Sequence, residues 1–150
     1  MKINERRKKI ERVIASAAAM IGTPYRYGVY AELKKKGTPK AVDCSSFTQY
    51  VFETAGVDLP RSSILQAAEG RTIADVKKIA PGDLLFFEGD KGHYFHTLFK
   101  KKVYIGHVAL YCGAGMIIHA RKSKKGVIVE PLDVFTKNKY CDVVRIQRII

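Results

Sequence analysis

DCSSFTQYVFETAG, residues 43–56, sets a cysteine at the head of an apolar-periodic run. Phe47, Tyr50, Val51 and Ala55 fall on one face of a helix, and Gly56 supplies a stop signal. Asp43, immediately before the run, is a candidate N-cap. Cys44 then stands in a first helical turn, where unpaired N–H groups and the helix dipole favour an anion and lower a thiol's pKa. Alone, that position says little, because small buried cysteines are common. A base brought to the thiol would change the reading.

Upstream, Ile10, Val13, Ile14, Ala17 and Ile21 form an amphipathic stripe that predicts a helix over 4–21, ended by Gly22 and Pro24. Six basic residues (Lys2, Arg6, Arg7, Lys8, Lys9, Arg12) precede the apolar stretch VIASAAAMI, residues 13–21, which superficially resembles an export signal. The stretch is too short to span a bilayer. Its periodicity reads as a folded first helix, with no transmembrane segment and no export signal. Downstream, PRSSILQAAEG (60–70) predicts a third helix, capped by Ser62 or Ser63.

The second half changes period. PGDLLFFE, IGHVALYC, GMIIHAR, GVIVEP and DVVRIQRII are short β-rich runs separated by glycine-containing turns. Helices followed by successive strands give an α+β class, with N-terminal helices packed on a C-terminal antiparallel β-sheet. The 150 residues make one domain, 1–150. Two stretches, 29–42 and 89–102, break the rhythm and read as loop insertions.

The chain carries 27 Lys+Arg against 14 Asp+Glu, a net charge of +13. That excess predicts attraction to polyanions, including an anionic polymer met through the basic surface. The lysine clusters at 34–36, 100–102 and 122–125 lie in three separate loops, which is poor support for a nucleic-acid reader. Three cysteines, Cys44, Cys112 and Cys141, show no CxxC spacing. A bridge between Cys112 and Cys141 is compatible with the count and leaves Cys44 free.

Four histidines remain. His93 and His96 sit in an aromatic-rich loop, and without tight thiolate or carboxylate partners they are weak zinc candidates. His107 and His119 flank a hairpin in GHVALYCGAGMIIHAR. A three-residue loop at 112–114 would set them directly opposite on one face; a two-residue loop at 113–114 would send them to opposite faces. In the first register His107, Ala109 and Tyr111 share a face, and Val108 and Leu110 point the other way. A helix-borne thiol, a strand histidine and a polar group on the next strand are the parts of a nucleophile, its base and the base's orienter.

GTPYRYG, DCSSFTQYVF, LPRSS…Q, PGDLLFF, GHVALY and MIIHA occur in the order and approximate spacing of the NlpC-type cell-wall cysteine peptidases. The resemblance covers roughly residues 10–148. It implies a papain-like fold and a thiol hydrolase that cleaves peptide bonds in peptidoglycan stems, typically between γ-D-glutamate and a diamino acid. It implies Cys44 as nucleophile, His107 as base, His119 as orienter and Tyr25 as a contributor to the oxyanion site. Asp43 and Ser45 match positions that hold the free amino end of the stem peptide, and Arg61 lines the same groove. No cofactor or metal is implied. Tyr27 reads equally well as packing.

The chain departs from the family in three places. Ser46 stands where a glycine is usual, YGV replaces YGG, and a lysine-rich stretch precedes Asp43. The two insertions flank the expected cleft and bear on substrate identity more than on chemistry. Rival readings are a papain-like amidase or acyltransferase acting on a non-wall substrate, and a basic nucleic-acid-binding module. The family implies action at the envelope or outside the cell, although the sequence reads as cytoplasmic when synthesised.

Overall fold

The computed structural model of the chain describes residues 1–29, 37–88, 94–96, 101–137 and 142–150. Helix α1 (Ile3–Ala19) buries Val13 and Ala17, followed by Met20 at its C-cap. The predicted helix over 4–21 is therefore close, but Ile21 lies past the end and is exposed. Helix α2 (Cys44–Glu53) buries Phe47, Val51 and Phe52. Helix α3 (Ser63–Gln66) is a single turn, much shorter than the 60–70 predicted, with Ser62 at its N-cap.

Among the described residues eight strands follow: β1 (Arg71–Thr72), β2 (Leu84–Phe87), β3 (Tyr94–His96), β4 (Lys101–Val103), β5 (His107–Gly113), β6 (Met116–Arg121), β7 (Gly126–Pro131) and β8 (Val143–Arg148). Six form one antiparallel sheet in the order β1-β8-β2-β5-β6-β7. The expected α+β architecture, with helices ahead of an antiparallel sheet, is present. Within 89–102, read as a loop, β3 and β4 pair antiparallel with Tyr94 opposite Val103. His93, Cys141 and the stretches 30–36 and 97–100 lie outside the described residues.

The sheet is covered on both faces, which is why all four residues of β2 are buried. Leu84, Phe86, Val108, Leu110, Ile118 and Ala120 join Phe47, Val51 and Phe52 of α2 and Val13 of α1 in one core. Leu85, Phe87, Ala109, Ile117 and Ile146 pack on the other face with Phe135. Phe135 belongs to α4 (Leu132–Thr136), a five-residue helix that the periodicity did not reveal.

The hairpin adopts neither register considered from the sequence. Gly113 pairs with Met116, so the loop is Ala114–Gly115, with φ of 53° and 74°. Two successive positive φ values are what a type I′ hairpin turn requires. A bulge between Tyr111 and Gly113 shifts the pairing, and beyond it Tyr111 faces Ile117 and Leu110 faces Ile118. By that register His119 lies across from Ala109, two positions along from His107. The extra residue at the bulge restores the parity, so both histidines share the Ala109 face after all.

Candidate active site

Asp43 builds the head of α2. Its Oδ1 accepts from Ser46 N–H at 2.9 Å, while Ser46 Oγ accepts from Asp43 N–H at 2.9 Å. Its Oδ2 accepts from Gly28 N–H at 2.9 Å and from Arg61 Nη2 at 2.7 Å. Burial alone would raise this carboxyl. The Arg61 hydrogen bond and the N–H groups of Ser46 and Gly28 outweigh burial and hold it below its usual value. Arg61 Nη1 also donates to Ser45 Oγ at 2.7 Å, and Nη2 to Val29 O. Asp43, Ser45 and Arg61 thus form one network at the α2 head, although Arg61 belongs to a separate motif that only the family resemblance set beside the other two.

The chain around Arg61 is tied to α2 by Gln66, the buried glutamine that closes the LPRSS…Q motif and to which the sequence assigned no role. Gln66 Nε2 donates to Ser45 O at 3.0 Å and Pro60 O at 2.8 Å, and its Oε1 accepts from Thr48 Oγ1 at 2.6 Å. A fully buried amide with every bond made rigidifies its surroundings.

Cys44 is partly buried against the α2 core, and its sulfur meets the backbone N–H groups of Val108 and Ser45. Burial and the neighbouring Asp43 carboxylate nevertheless push the thiol up to about 11. This corrects the expectation of a lowered pKa at a helix start. The N–H groups do favour the thiolate, but desolvation and a like charge next in sequence win. At rest the sulfur is a neutral thiol that has to lose its proton to a base.

Tyr25 reaches the same region through a parallel bridge to Val42, with its N–H bonded to Lys125 O at 3.0 Å. Gly126 permits that route: a Cβ added there would lie 2.6 Å from Thr23 O. Burial first, then the charges of Cys44 and Asp43, push the Tyr25 hydroxyl up to about 12, so it remains an O–H donor. Tyr27, by contrast, is 82% exposed and packs into no core.

His107 opens β5, next to the Val108 N–H that meets the Cys44 sulfur. The His107 Nε2 and His119 Nδ1 atoms are 2.7 Å apart, and His119 is completely buried. Two further residues complete this side. His119 Nε2 lies 2.9 Å from Glu130 Oε2, and Arg121 Nη1 lies 3.2 Å from both Glu130 oxygens. Phe135 stands edge-on to His119 with ring centres 4.7 Å apart and tilts against His107 at 5.4 Å. Burial, then the charge of Arg121, push His119 down to about 3. Burial, then His119 and Arg121, also lower His107 well below its usual value. Both imidazoles are neutral at rest.

Glu130 and Phe135 were missed because their relation to His119 depends on register and on α4. The only hint was one acidic residue in the strand beside MIIHA. Cys112 Sγ lies 3.3 Å from Met116 O at the hairpin bulge. No group of three or more His, Cys, Asp or Glu side chains placed to hold a metal occurs among the described residues. The side chain of His96 is not among those described.

The profile described as the NlpC/P60 family matches residues 22–145. The chain belongs to the NlpC/P60 family. It is 33% identical over 139 residues to the gamma-DL-glutamyl hydrolase of Bacillus subtilis (strain 168), covering 91% of this chain and 29% of that protein. It is 34% identical over 91 residues to a gamma-D-glutamyl-L-lysine dipeptidyl-peptidase of Bacillus cereus, covering 61% of this chain and 24% of the relative. The chain therefore spans less than a third of either curated relative. Among solved NlpC/P60 structures, the peptidoglycan hydrolase RipB of Mycobacterium tuberculosis superposes with a TM-score of 0.73 at 26% identity, covering all of this chain and 69% of RipB. The papain-like fold expected from the motifs is the fold of these neighbours.

Proposed function

We propose that the chain is a cysteine peptidase that hydrolyses an amide bond in peptidoglycan stem peptides, between γ-D-glutamate and a diamino acid. The observation that carries this reading is the 2.7 Å His107–His119 bond, set on the strand residue beside the Val108 N–H that meets the Cys44 sulfur. One ring nitrogen of His107 is engaged by His119, which leaves Nδ1 for the thiol. The names of the gamma-D-glutamyl-L-lysine peptidase and of RipB support the substrate class.

In the proposed reaction, Cys44 Sγ attacks the amide carbon while its proton passes to His107 Nδ1. Charge developing on the carbonyl oxygen is met by the Tyr25 hydroxyl and by the Cys44 backbone N–H at the head of α2, where the helix itself offers no acceptor. His107 then gives the proton to the departing amine as the C–N bond breaks and a thioester forms. Water, deprotonated by His107, hydrolyses the thioester and restores the thiol. Asp43, Ser45 and Arg61 receive the free amino end of the peptide. Because Arg61 already occupies Asp43, an incoming ammonium group must share that carboxylate with the guanidinium. The proposed place of action is the envelope, where the substrate is.

The test is release of product from defined muropeptides, with Cys44→Ala as the control. Robust cleavage by that variant would sink the mechanism. The net charge of +13 favours a second substrate, an anionic γ-glutamyl polymer, consistent with the name of the B. subtilis relative. Poly-γ-glutamate in the same panel separates the two. Cleavage of the polymer that falls steeply with salt, with muropeptides untouched, would favour the second reading.

A further inference from the structure

We propose that Glu130 is a positioning residue for this site, fixing the tautomer of His119 and through it that of His107, with Arg121 holding the carboxylate in place. The inference rests on the reading of His107 as the base.

The protons along this line of hydrogen bonds can be counted. A carboxylate only accepts, so the 2.9 Å bond to Glu130 Oε2 is donated by His119 Nε2–H. A neutral imidazole carries a single N–H, which leaves His119 Nδ1 as an acceptor. The 2.7 Å bond must then be donated by His107 Nε2–H. His107 Nδ1 is left with a lone pair, and that is the atom required to take the thiol proton. In the opposite tautomer Nδ1 would carry a hydrogen and meet the S–H as a second donor, with no base present. Glu130 thus decides, two rings away, whether His107 can act.

The surroundings fit that role. His119 is fully buried, and Phe135 covers both imidazoles from α4. With water kept from His119, protein groups alone choose its tautomer. Around the pair, β6 brings the Arg121 charge and β7 brings Glu130, while Phe87 of β2 and Phe135 of α4 are apolar. Arg121 disfavours the imidazolium form of His107 and Glu130 favours it. An ordinary surface pair between Arg121 and Glu130 would leave both side chains in water. Here they are 16% and 12% exposed, and one carboxylate oxygen is shared with a buried histidine.

Imidazole ¹⁵N shifts of the unaltered protein at pH 7 read the tautomers directly. The expected result is Nε2–H on both His107 and His119; Nδ1–H on either ring would overturn the proposal. Glu130→Gln, whose amide can donate to His119 Nε2 and invert the line, is expected to lower kcat about 10- to 100-fold, part of the ~10²–10⁴ that acid–base catalysis supplies. KM should change less than about twofold, and the acid limb of the profile should move to lower pH. Glu130→Asp should recover part of kcat. An unchanged kcat and pH profile in folded Glu130→Gln would also overturn the inference, while slow Cys44 alkylation in His107→Ala would show the base reading intact. Equal alkylation in His107→Ala would instead remove the base reading itself.

Discussion

Asp43 and Ser46 cap one another: each side chain accepts the other's backbone N–H at 2.9 Å. Ser46 occupies the position where NlpC-type sequences usually carry glycine, so the departure is a reciprocal helix cap and not a change in the cleft. Ser46 is fully buried and sits at the third position of α2. Ser46→Gly removes one half of the cap and adds a flexible residue to the first turn. The expected cost is about 1–2 kcal/mol of stability, with kcat/KM within a few-fold of the unaltered protein. A urea midpoint shift alongside muropeptide turnover checks it; a large loss of activity at unchanged stability would mean that Ser46 faces substrate.

Gly126 and Thr23 approach so closely that any side chain at 126 meets backbone. Thr23 O accepts from Val127 N–H at 2.9 Å, and Tyr25 follows two residues later. Gly126→Ala should therefore push the 23–25 segment off β7 and carry the Tyr25 hydroxyl away from Cys44. Loss of one oxyanion donor is worth about 10²–10³ in kcat, so a fall approaching that range is expected, with Tyr25→Phe showing a similar loss. Full activity in both variants would remove Tyr25 from the oxyanion site.

Most of the architecture could be read from one-dimensional patterns, because α1, α2 and the five main strands each carry their own periodicity. Cys44, His107 and His119 were legible for the same reason, each being tied to a local motif. What escaped depended on relations between elements. The hairpin register turned on Ala114 accepting a positive φ and on a bulge at Cys112, neither of which has an apolar signature. Phe135 rides on a five-residue helix too short to show a period. The resting state of Cys44 was misjudged because the helix terminus is visible in sequence, whereas burial and the orientation of Asp43 are not.

Cys44 and His107 should be coupled in reactivity. With its thiol pushed up to about 11, Cys44 would be only about one part in ten thousand ionised at pH 7 without help. Iodoacetamide should modify the unaltered protein much faster than that fraction allows, because His107 accepts the proton. In His107→Ala the rate at pH 7 should collapse, then climb about tenfold per pH unit as the free thiolate fraction grows. Equal rates and parallel pH profiles in the two proteins would mean that no such pair exists.

The buried histidines should also set the acid stability. His119 is neutral when folded, with its pKa pushed to about 3, but takes up a proton near 6.5 when unfolded. Above pH 6.5 the folded and unfolded states bind equal numbers of protons at this ring, so stability is level. Below it the unfolded state binds more, and stability falls as pH falls, by about 1.4 kcal/mol per pH unit from His119 until about pH 3. His107, lowered for the same primary reason, adds in the same direction. Asp43 acts in a different window: its carboxyl is held below 3.8, so its stabilising contribution disappears only as pH falls below that value. Urea midpoints at pH 7, 6, 5 and 4 should therefore decline throughout, and His119→Asn, which cannot titrate, should flatten the decline. An equally steep decline in that variant would mean that the acid sensitivity arises elsewhere.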